Sequence, residues 1–250
     1  MAKKFIYDSS GTYSSTLTDG TVSGSTFTVA TSITNELYAN DQSISNAITS
    51  YAVNDAIRFG YSTNQTIDTI ALYFTGASSG RLDIFPDGGT ATSLGSTAGN
   101  DAALGAGWNI IDITEASNDN WFLVATVAEI TNLSEVILGK TLTFPFNPNL
   151  NSKESKQFGV DVIESYGGNE YANKRHDGKR MWEISFSNLT ETDKTNFESM
   201  RDAVSTNFLK FLYYDDSSYH WVRALGGSFE FTEVAYQAYN MNVKMIEQLA

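Results

Sequence analysis

The sequence predicts a mainly β protein of two β-rich domains, a jelly roll or β-sandwich followed by a sheet domain with one short packed α-helix. Short β-prone stretches recur between residues 56 and 149, separated by turn-forming Gly, Asn, Asp and Ser. After residue 188 the apolar residues instead adopt helical spacing. Hydrophobic residues make up 41% of the 250 residues, which is enough for a sizeable core.

The first 54 residues are rich in Ser, Thr, Gly and Asn. Lys4–Tyr7 and Phe27–Val29 are predicted as short strands, and the Asp-Gly and Ser-Gly pairs within residues 18–26 as turns. A flexible arm is the alternative interpretation. We favour the opening strands of the first domain, because apolar side chains such as Tyr13 need burial.

The middle of the chain contains the densest run of predicted strands. Their spacing, with turn signals between them, is typical of a β-sandwich or jelly roll. The predicted strands are residues 56–62, 66–75, 80–86, 107–114, 120–127 and 134–144.

Two of these stretches resemble galactose-binding-like (discoidin) domains. Phe59–Ala71 reads FGYSTNQTIDTIA and Trp108–Ile113 reads WNIIDI. The resemblance implies a jelly roll whose loops at one end bind sugars, in some members beside a structural calcium. No sugar-contacting residue of that family can be matched to a position here.

Residues 141–159 are predicted to link the two domains. Pro145 and Pro148 favour extended conformations in their neighbours. The predicted domains are therefore residues 1–146, the jelly roll with the N-terminal strands, and residues 147–250.

A strand, a helix and a strand organise the second domain. Trp182, Ile184 and Phe186 alternate with polar residues, as in a half-buried strand. Asn188 is predicted as the helix N-cap, with Glu191 three residues later completing a capping box.

The helix is predicted to span about residues 189–204. Phe197, Met200 and Val204 recur at steps of three and four residues, so they define one apolar face that should pack on the sheet. The strands predicted after the helix are residues 208–214, 219–224, 227–232 and 235–248.

The second domain resembles the sheet domain of bacteriophage distal tail and related minor tail proteins. The resemblance rests on Arg180, Trp182, Ile184, Phe186, Thr190, Asp193 and Phe211–Asp216. It implies a structural virion protein at the tail tip, assembled in the host cytoplasm. Its partners would be other copies in a closed ring, a hexamer by analogy, together with the tail tube and baseplate or fibre proteins. The alternative function is carbohydrate binding during host adsorption, as an adsorption protein or a tail-fibre component.

A basic segment precedes the strand at Trp182. Residues 167–180 have no apolar periodicity and are predicted as a long loop or hairpin tip. One interpretation is a solvated loop. The other is a subunit-interface hook that contacts an acidic surface of a neighbour. The candidate interface residues are Lys174, Arg175, His176, Lys179 and Arg180.

Charge argues against nucleic-acid binding. The formal net charge is −13, and residues 5–152 contain three basic residues against fourteen acidic ones. A nucleic-acid-binding protein needs a basic footprint for phosphates. The chain also lacks an apolar run of about 20 residues that would span a membrane, and it contains no cysteine.

We find no catalytic or cofactor signature, and we predict that the protein is not an enzyme. Neither His176 nor His220 has a His or Cys partner at metal-ligand spacing. The oxygens of Asn118–Asn120 could serve calcium, but the ordered loop pattern of calcium sites is missing. Trp108 and Trp121 are either sugar-stacking residues or core residues, and their strand patterns favour the core.

Overall fold

A computed structural model describes most of the chain. The described residues are 3–8, 44–45, 47–48, 56–76, 81–86, 92–93, 104–126, 129–150, 152–164, 166, 170–205 and 209–248. Within them the protein is mainly β with one α-helix, which confirms the predicted fold class. The elements are β1 (Lys4–Tyr7), β2 (Ala56–Phe74), β3 (Arg81–Pro86), β4 (Thr92–Ser93), β5 (Gly107–Thr126), β6 (Leu133–Thr143), β7 (Lys153–Glu164), β8 (Glu170–Leu189), α1 (Glu191–Ser205), β9 (Lys210–Tyr214), β10 (Tyr219–Ala224), β11 (Glu230–Ala235) and β12 (Ala238–Glu247).

The chain divides into two compact units. The N-terminal unit is Ile6–Leu142, and the C-terminal unit combines Met1–Phe5 with Thr143–Leu249. The division falls ahead of the boundary predicted after residue 146, and it assigns the start of the chain to the C-terminal unit. β1, which the sequence predicted as a strand, therefore contributes residues to both units. The strand predicted at Phe27–Val29 lies outside the described residues.

The N-terminal unit contains an antiparallel sheet in the order β4-β3-β5-β2-β6. Ile70, Leu72 and Phe74 alternate along β2 into its core, because successive side chains of a strand point to opposite faces. Neighbouring strands contribute Leu82, Ile84, Leu123, Ala125, Val136 and Leu138 to the same core. One apolar face over a common core is consistent with the predicted β-sandwich.

Two pairs of predicted strands are each continuous in the structure, as β2 and β5. The β2–β5 register shifts between Gly60 and Gln65, opposite Asn120 and Asn118. The polar residues between the predicted strands had instead indicated turns. Between the Gly60–Asn120 and Gln65–Asn118 pairs β2 contains four residues and β5 contains one, and pairing then resumes, as it does after a β-bulge.

In the C-terminal unit the strand order is β9-β10-β12-β8-β7, and β11 also pairs with β12. Three β8–β12 cross-strand pairs are buried: Trp182–Met245, Ile184–Val243 and Phe186–Met241. This confirms the predicted alternation of Trp182, Ile184 and Phe186. β11 begins at Glu230 rather than at the predicted residue 227, because Gly227 (φ 76°) and Phe229 (φ 60°) adopt left-handed conformations that interrupt a strand.

Helix α1 begins two residues later than the predicted cap implied. Thr190 is the N-cap: its hydroxyl accepts from the amide of Asp193 (3.2 Å), and the Asp193 carboxylate accepts from the amide of Thr190 (3.0 Å). Asn188 instead has a φ of 60° and ends β8, with its amide donating to Asn240 Oδ1. The predicted cap at Asn188 was wrong because its left-handed backbone lies outside the β region typical of a cap.

The predicted apolar face of α1 is confirmed. Phe197, Met200 and Val204 are all buried. The Phe197 ring lies 5.3 Å from that of Phe186 and 6.3 Å from that of Phe144. Within the described residues, no helix is long and apolar enough to cross a membrane.

The C-terminal unit has an aromatic core that includes a residue of the predicted linker. Phe144 is buried, with its ring 4.7 Å from Phe5 and 5.1 Å from Phe186. Phe5 also lies 5.3 Å from Phe211. Residues 141–143 belong to β6 and residues 153–159 to β7. Ten of the 19 residues of the predicted linker therefore lie in strands, and Phe144 fixes the segment in the core through partners distant in sequence.

Candidate functional site

The main candidate site is a two-stranded ribbon formed by the outer parts of β7 and β8. Pairing runs from Lys156–Arg180 to Glu164–Glu170. Among the described residues, β8 pairs with β12 only from Met181 onward. We name residues 156–164 and 170–180 the ribbon, since within the described part of the chain these two strands pair only with each other.

The ribbon contains two register shifts around Gly159. Nearby, Gly178 leaves space for the ring of Phe158, because a Cβ added at Gly178 would lie 2.8 Å from that ring. Lys156 Nζ lies 5.7 Å from the centre of the same ring. A cation and an aromatic ring are thus neighbours on the ribbon surface.

The ribbon exposes an unusual amount of apolar side chain. Phe158 is 60% exposed, Val162 and Tyr171 are each 59% exposed, and Tyr166 at the tip is fully exposed. Tyr171 pairs with Ile163 and Val162 pairs with Ala172, so Tyr171 and Val162 point to opposite faces of the ribbon. The exposed apolar side chains therefore lie on both faces and do not form one patch. An isolated two-stranded hairpin is only marginally stable in water.

The predicted basic loop is part of the ribbon and is not a loop. Lys174, Lys179 and Arg180 lie on β8, paired with Val160, Gln157 and Lys156 respectively. Both faces of a ribbon are open to solvent, so its sequence lacks the alternation that reveals a half-buried strand.

The basic side chains are only partly available to a partner. Lys174 forms an ion pair with Asp177 of the same strand, and Arg180 Nε lies 3.9 Å from Glu247. The backbone of Arg175 and His176 belongs to β8, while their side chains lie outside what the structure describes. The interface role of these five residues stays a prediction.

A polar cluster around His220, which sequence reasoning did not single out, forms at the β9–β10 turn. His220 is buried on β10, and its Nε2 lies 2.8 Å from Asp215 Oδ2 and 3.0 Å from Ser218 Oγ. Its Nδ1 lies 3.7 Å from Glu247. A serine nucleophile needs the carboxylate and the hydroxyl on opposite ring nitrogens. Asp215 and Ser218 share one nitrogen. The carboxylate on the other side of the ring, Glu247, is beyond hydrogen-bond distance at 3.7 Å, so the group forms a turn clamp rather than a catalytic relay.

Asp215 is ionised within this cluster. Burial raises the pKa of its carboxyl, but hydrogen bonds from Ser217, from the amide of Ser218 and from His220 outweigh burial and hold that pKa well below its ordinary value. These bonds close the turn at residues 215–218 between β9 and β10, because the carboxylate accepts from the residues that follow it.

A cleft of about 250 Å³ lies beside this turn in the C-terminal unit. Its lining includes Trp182, Tyr213, Glu154 and Asp215. Trp182 and Tyr213 are 5% and 2% exposed, so their ring faces are covered and offer no stacking platform. Burial, together with the charges of Asp215 and Glu154, raises the pKa of the Tyr213 hydroxyl. A phenol held protonated in this way is not a general base.

The two tryptophans predicted as alternatives in the N-terminal unit differ in the structure. Trp121 is 1% exposed and belongs to the core. Trp108 is half-buried, and its ring contacts Tyr73 edge to face at 5.1 Å. Trp108 and Tyr73 are also Cα partners on β5 and β2. Of the two tryptophans, only Trp108 is accessible enough to touch a sugar.

The predicted calcium oxygens are used within the protein. Asn118 Oδ1 accepts from the Asn120 amide (2.9 Å), and Asp119 Oδ1 accepts from the Asn120 side chain (2.9 Å). Asn120 Oδ1 in turn accepts from Arg58 (2.9 Å). In the described part of the chain, no three His, Cys, Asp or Glu side chains are grouped to hold a metal ion.

Comparison with known proteins found no matching family model and no matching curated protein. Two solved structures are similar in part. One is CBM32-1 from a family 31 glycoside hydrolase of Clostridium perfringens, with 19% identity over 41% of this chain and 82% of that chain, at a TM-score of 0.33. The other is chitosan-binding module 1 of a chitosanase/glucanase from Paenibacillus sp. IK-5, with 18% identity over 52% and 96%, at a TM-score of 0.34. TM-scores this low carry no argument about function. Neither structure is a tail protein, so the C-terminal resemblance stays a prediction.

Proposed function

We propose that this chain is a structural protein that assembles with copies of itself through the ribbon. The ribbon is the observation that carries the proposal. It exposes Phe158, Val162 and Tyr171 on a two-stranded element, and burial in an interface would stabilise it. The cleft and the His220 cluster have covered rings and internally paired groups, so neither favours catalysis.

By its C-terminal resemblance, we place this assembly at a bacteriophage tail tip. The proposed form is a closed ring, a hexamer by analogy, between the tail tube and the baseplate or fibres. It would be assembled in the host cytoplasm and carried in the virion. In this arrangement the acidic N-terminal unit is a peripheral domain, with three basic and fourteen acidic residues between positions 5 and 152.

The test is the assembly state of the purified chain. We expect sedimentation and light scattering to show a concentration-dependent oligomer, and negative-stain images to show closed rings. Phe158→Ser with Tyr171→Ser should shift the protein to monomers. Leu150→Ser is the matched control, because Leu150 is an exposed apolar residue of the same unit that lies outside the ribbon. A parent chain that stays monomeric at every concentration would refute self-assembly.

Carbohydrate binding by the N-terminal unit is the second candidate function. The half-buried Tyr73–Trp108 pair favours it, because sugar rings stack on accessible aromatic faces. We expect neutral oligosaccharides to change the tryptophan fluorescence in a saturable way, and Tyr73→Ser to weaken that response. Trp182→Phe, a change in the other unit, is the control. A glycan array without a reproducible signal would remove this candidate.

A further inference from the structure

We propose that the ribbon of one copy contacts the β11 edge of the next copy, so that subunits join head to tail. This inference rests on the proposed self-assembly and adds the second half of the contact. Two different surfaces on each copy make the contact heterologous, and such a contact produces a ring when the rotation closes.

The β11 edge has the features of a partner for the ribbon. Among the described residues β11 pairs only with β12, through a hairpin whose turn contains Tyr236 and Gln237. Val234 is 49% exposed and Tyr236 is 87% exposed. An open edge strand with exposed apolar residues is a template for pairing with another chain. We name residues 230–236 the β11 patch.

Charge favours contact between the ribbon and the β11 patch. The patch contains Glu230 and Glu233 and no basic residue. On the ribbon, Lys156 and Arg180 lie directly opposite each other as a cross-strand pair. Like charges opposite one another destabilise a β-ladder. Glu247 of the same chain already lies 3.9 Å from Arg180 Nε, so the carboxylates of a neighbouring β11 patch would act chiefly on Lys156.

The same charges disfavour the symmetric alternative. In an isologous contact each ribbon would meet another ribbon, and the Lys156–Arg180 pair of one copy would approach the identical pair of the other. A two-fold contact of this kind would also stop at a dimer. A ribbon that meets a β11 patch brings opposite charges together and leaves one free surface at each end for growth.

Two variants and their mixture test the inference. The ribbon variant is Phe158→Ser with Tyr171→Ser, and the β11 variant is Val234→Ser with Tyr236→Ser. All four side chains are exposed, so both variants should fold and keep the parent's circular dichroism spectrum. Each variant alone should sediment as a monomer. An equimolar mixture should form dimers and stop there, because one intact ribbon and one intact β11 patch remain.

The outcomes separate the inference from the proposed function. If the parent chain does not assemble, self-assembly itself is refuted. If the parent assembles and the β11 variant assembles equally well, β11 is not part of the contact. Two monomeric variants whose mixture stays monomeric would also overturn the head-to-tail arrangement. Leu150→Ser should behave as the parent throughout.

A charge exchange gives an independent readout of the same contact. Glu230→Lys with Glu233→Lys should abolish assembly at low salt. Adding Lys156→Glu to that chain should restore assembly in part, because opposite charges then meet again. Arg180 is kept, since it lies beside Glu247 of its own chain. Failure of the threefold variant to recover any assembly would show that these charges do not face each other across the contact.

Discussion

Gly139 on β6 shows how one residue constrains the N-terminal unit. A Cβ at this position would overlap the carbonyl oxygen of Tyr7 and lie 2.7 Å from its carbonyl carbon. Backbone atoms cannot rotate away as a flexible side chain can. Gly139→Ala should therefore reduce the free energy of unfolding by about 1–3 kcal/mol.

Chemical denaturation of the full chain measures the effect of Gly139→Ala. Gly105→Ala is the control in the same unit, since the nearest atom to its added Cβ is 3.9 Å away. That change should stay within about 0.5 kcal/mol of the parent. Equal effects of the two substitutions would show that β1 does not approach β6 as closely as described.

Asp215 should make the C-terminal unit sensitive to acid. Its pKa is lower in the folded chain than in the unfolded one, so the ionised form stabilises the fold. The stabilisation is complete above the ordinary Asp pKa of about 3.9 and is lost as the pH falls below it. Asp215→Asn should cost about 1–3 kcal/mol at pH 7, and the difference from the parent should narrow in acid.

Urea unfolding at several pH values, followed by tryptophan fluorescence, tests the prediction for Asp215. Trp182 is a suitable reporter, because its ring lies 4.9 Å from that of His220 in the same cluster. Asp216→Asn, at the exposed neighbouring position, should change stability little at any pH. A constant gap between Asp215→Asn and the parent down to about pH 3 would contradict the assigned hydrogen bonds.

At the scale of elements, two substitutions at the start of α1 distinguish Thr190 from Asn188 as the N-cap. Thr190→Ala removes the hydroxyl that caps the helix and should cost about 1 kcal/mol. Asn188→Gly should be neutral or slightly stabilising, because glycine adopts the left-handed conformation found there without strain. Thermal or urea unfolding measures the stability change of each variant. A larger loss for Asn188→Gly than for Thr190→Ala would identify Asn188 as the cap.

The elements also show which patterns a sequence reveals. The buried face of α1 at Phe197, Met200 and Val204 was predictable, because one side of the helix packs in the core and the other faces solvent. The strand at residues 170–180 was not, because polar and apolar residues do not alternate there. The Thr190–Asp193 cap was visible in the family resemblance, but local pattern alone favoured Asn188.

At the scale of the whole molecule, the predicted boundary after residue 146 and the division of the structure after residue 142 imply fragments of different stability. A chain of residues 147–250 lacks both Phe5 and Phe144, which are buried against each other in the aromatic core. Loss of a buried phenylalanine costs about 3–5 kcal/mol. We expect this fragment to unfold at much lower urea than the C-terminal unit does in the full chain.

A fragment of residues 143–250 separates the two contributions. It retains Phe144 but not Phe5, so its stability should lie between that of 147–250 and that of the full chain. Phe5→Ala in the full chain should reproduce the loss caused by removing Phe5. A fragment 147–250 as stable as the intact unit would show that the start of the chain does not belong to its core.

The sequence by itself determined the mainly β class, the single helix and its buried face, and most strands with one covered side. These features depend on the spacing of apolar residues within a short segment, which can be read directly from the sequence. Tertiary structure alone decided that Phe5 and Phe144 share a core, that residues 170–180 form a strand, and that Asp215 and Glu247 approach His220. These contacts are between residues that are distant in sequence and meet only in the folded chain, so no local sequence pattern predicts them.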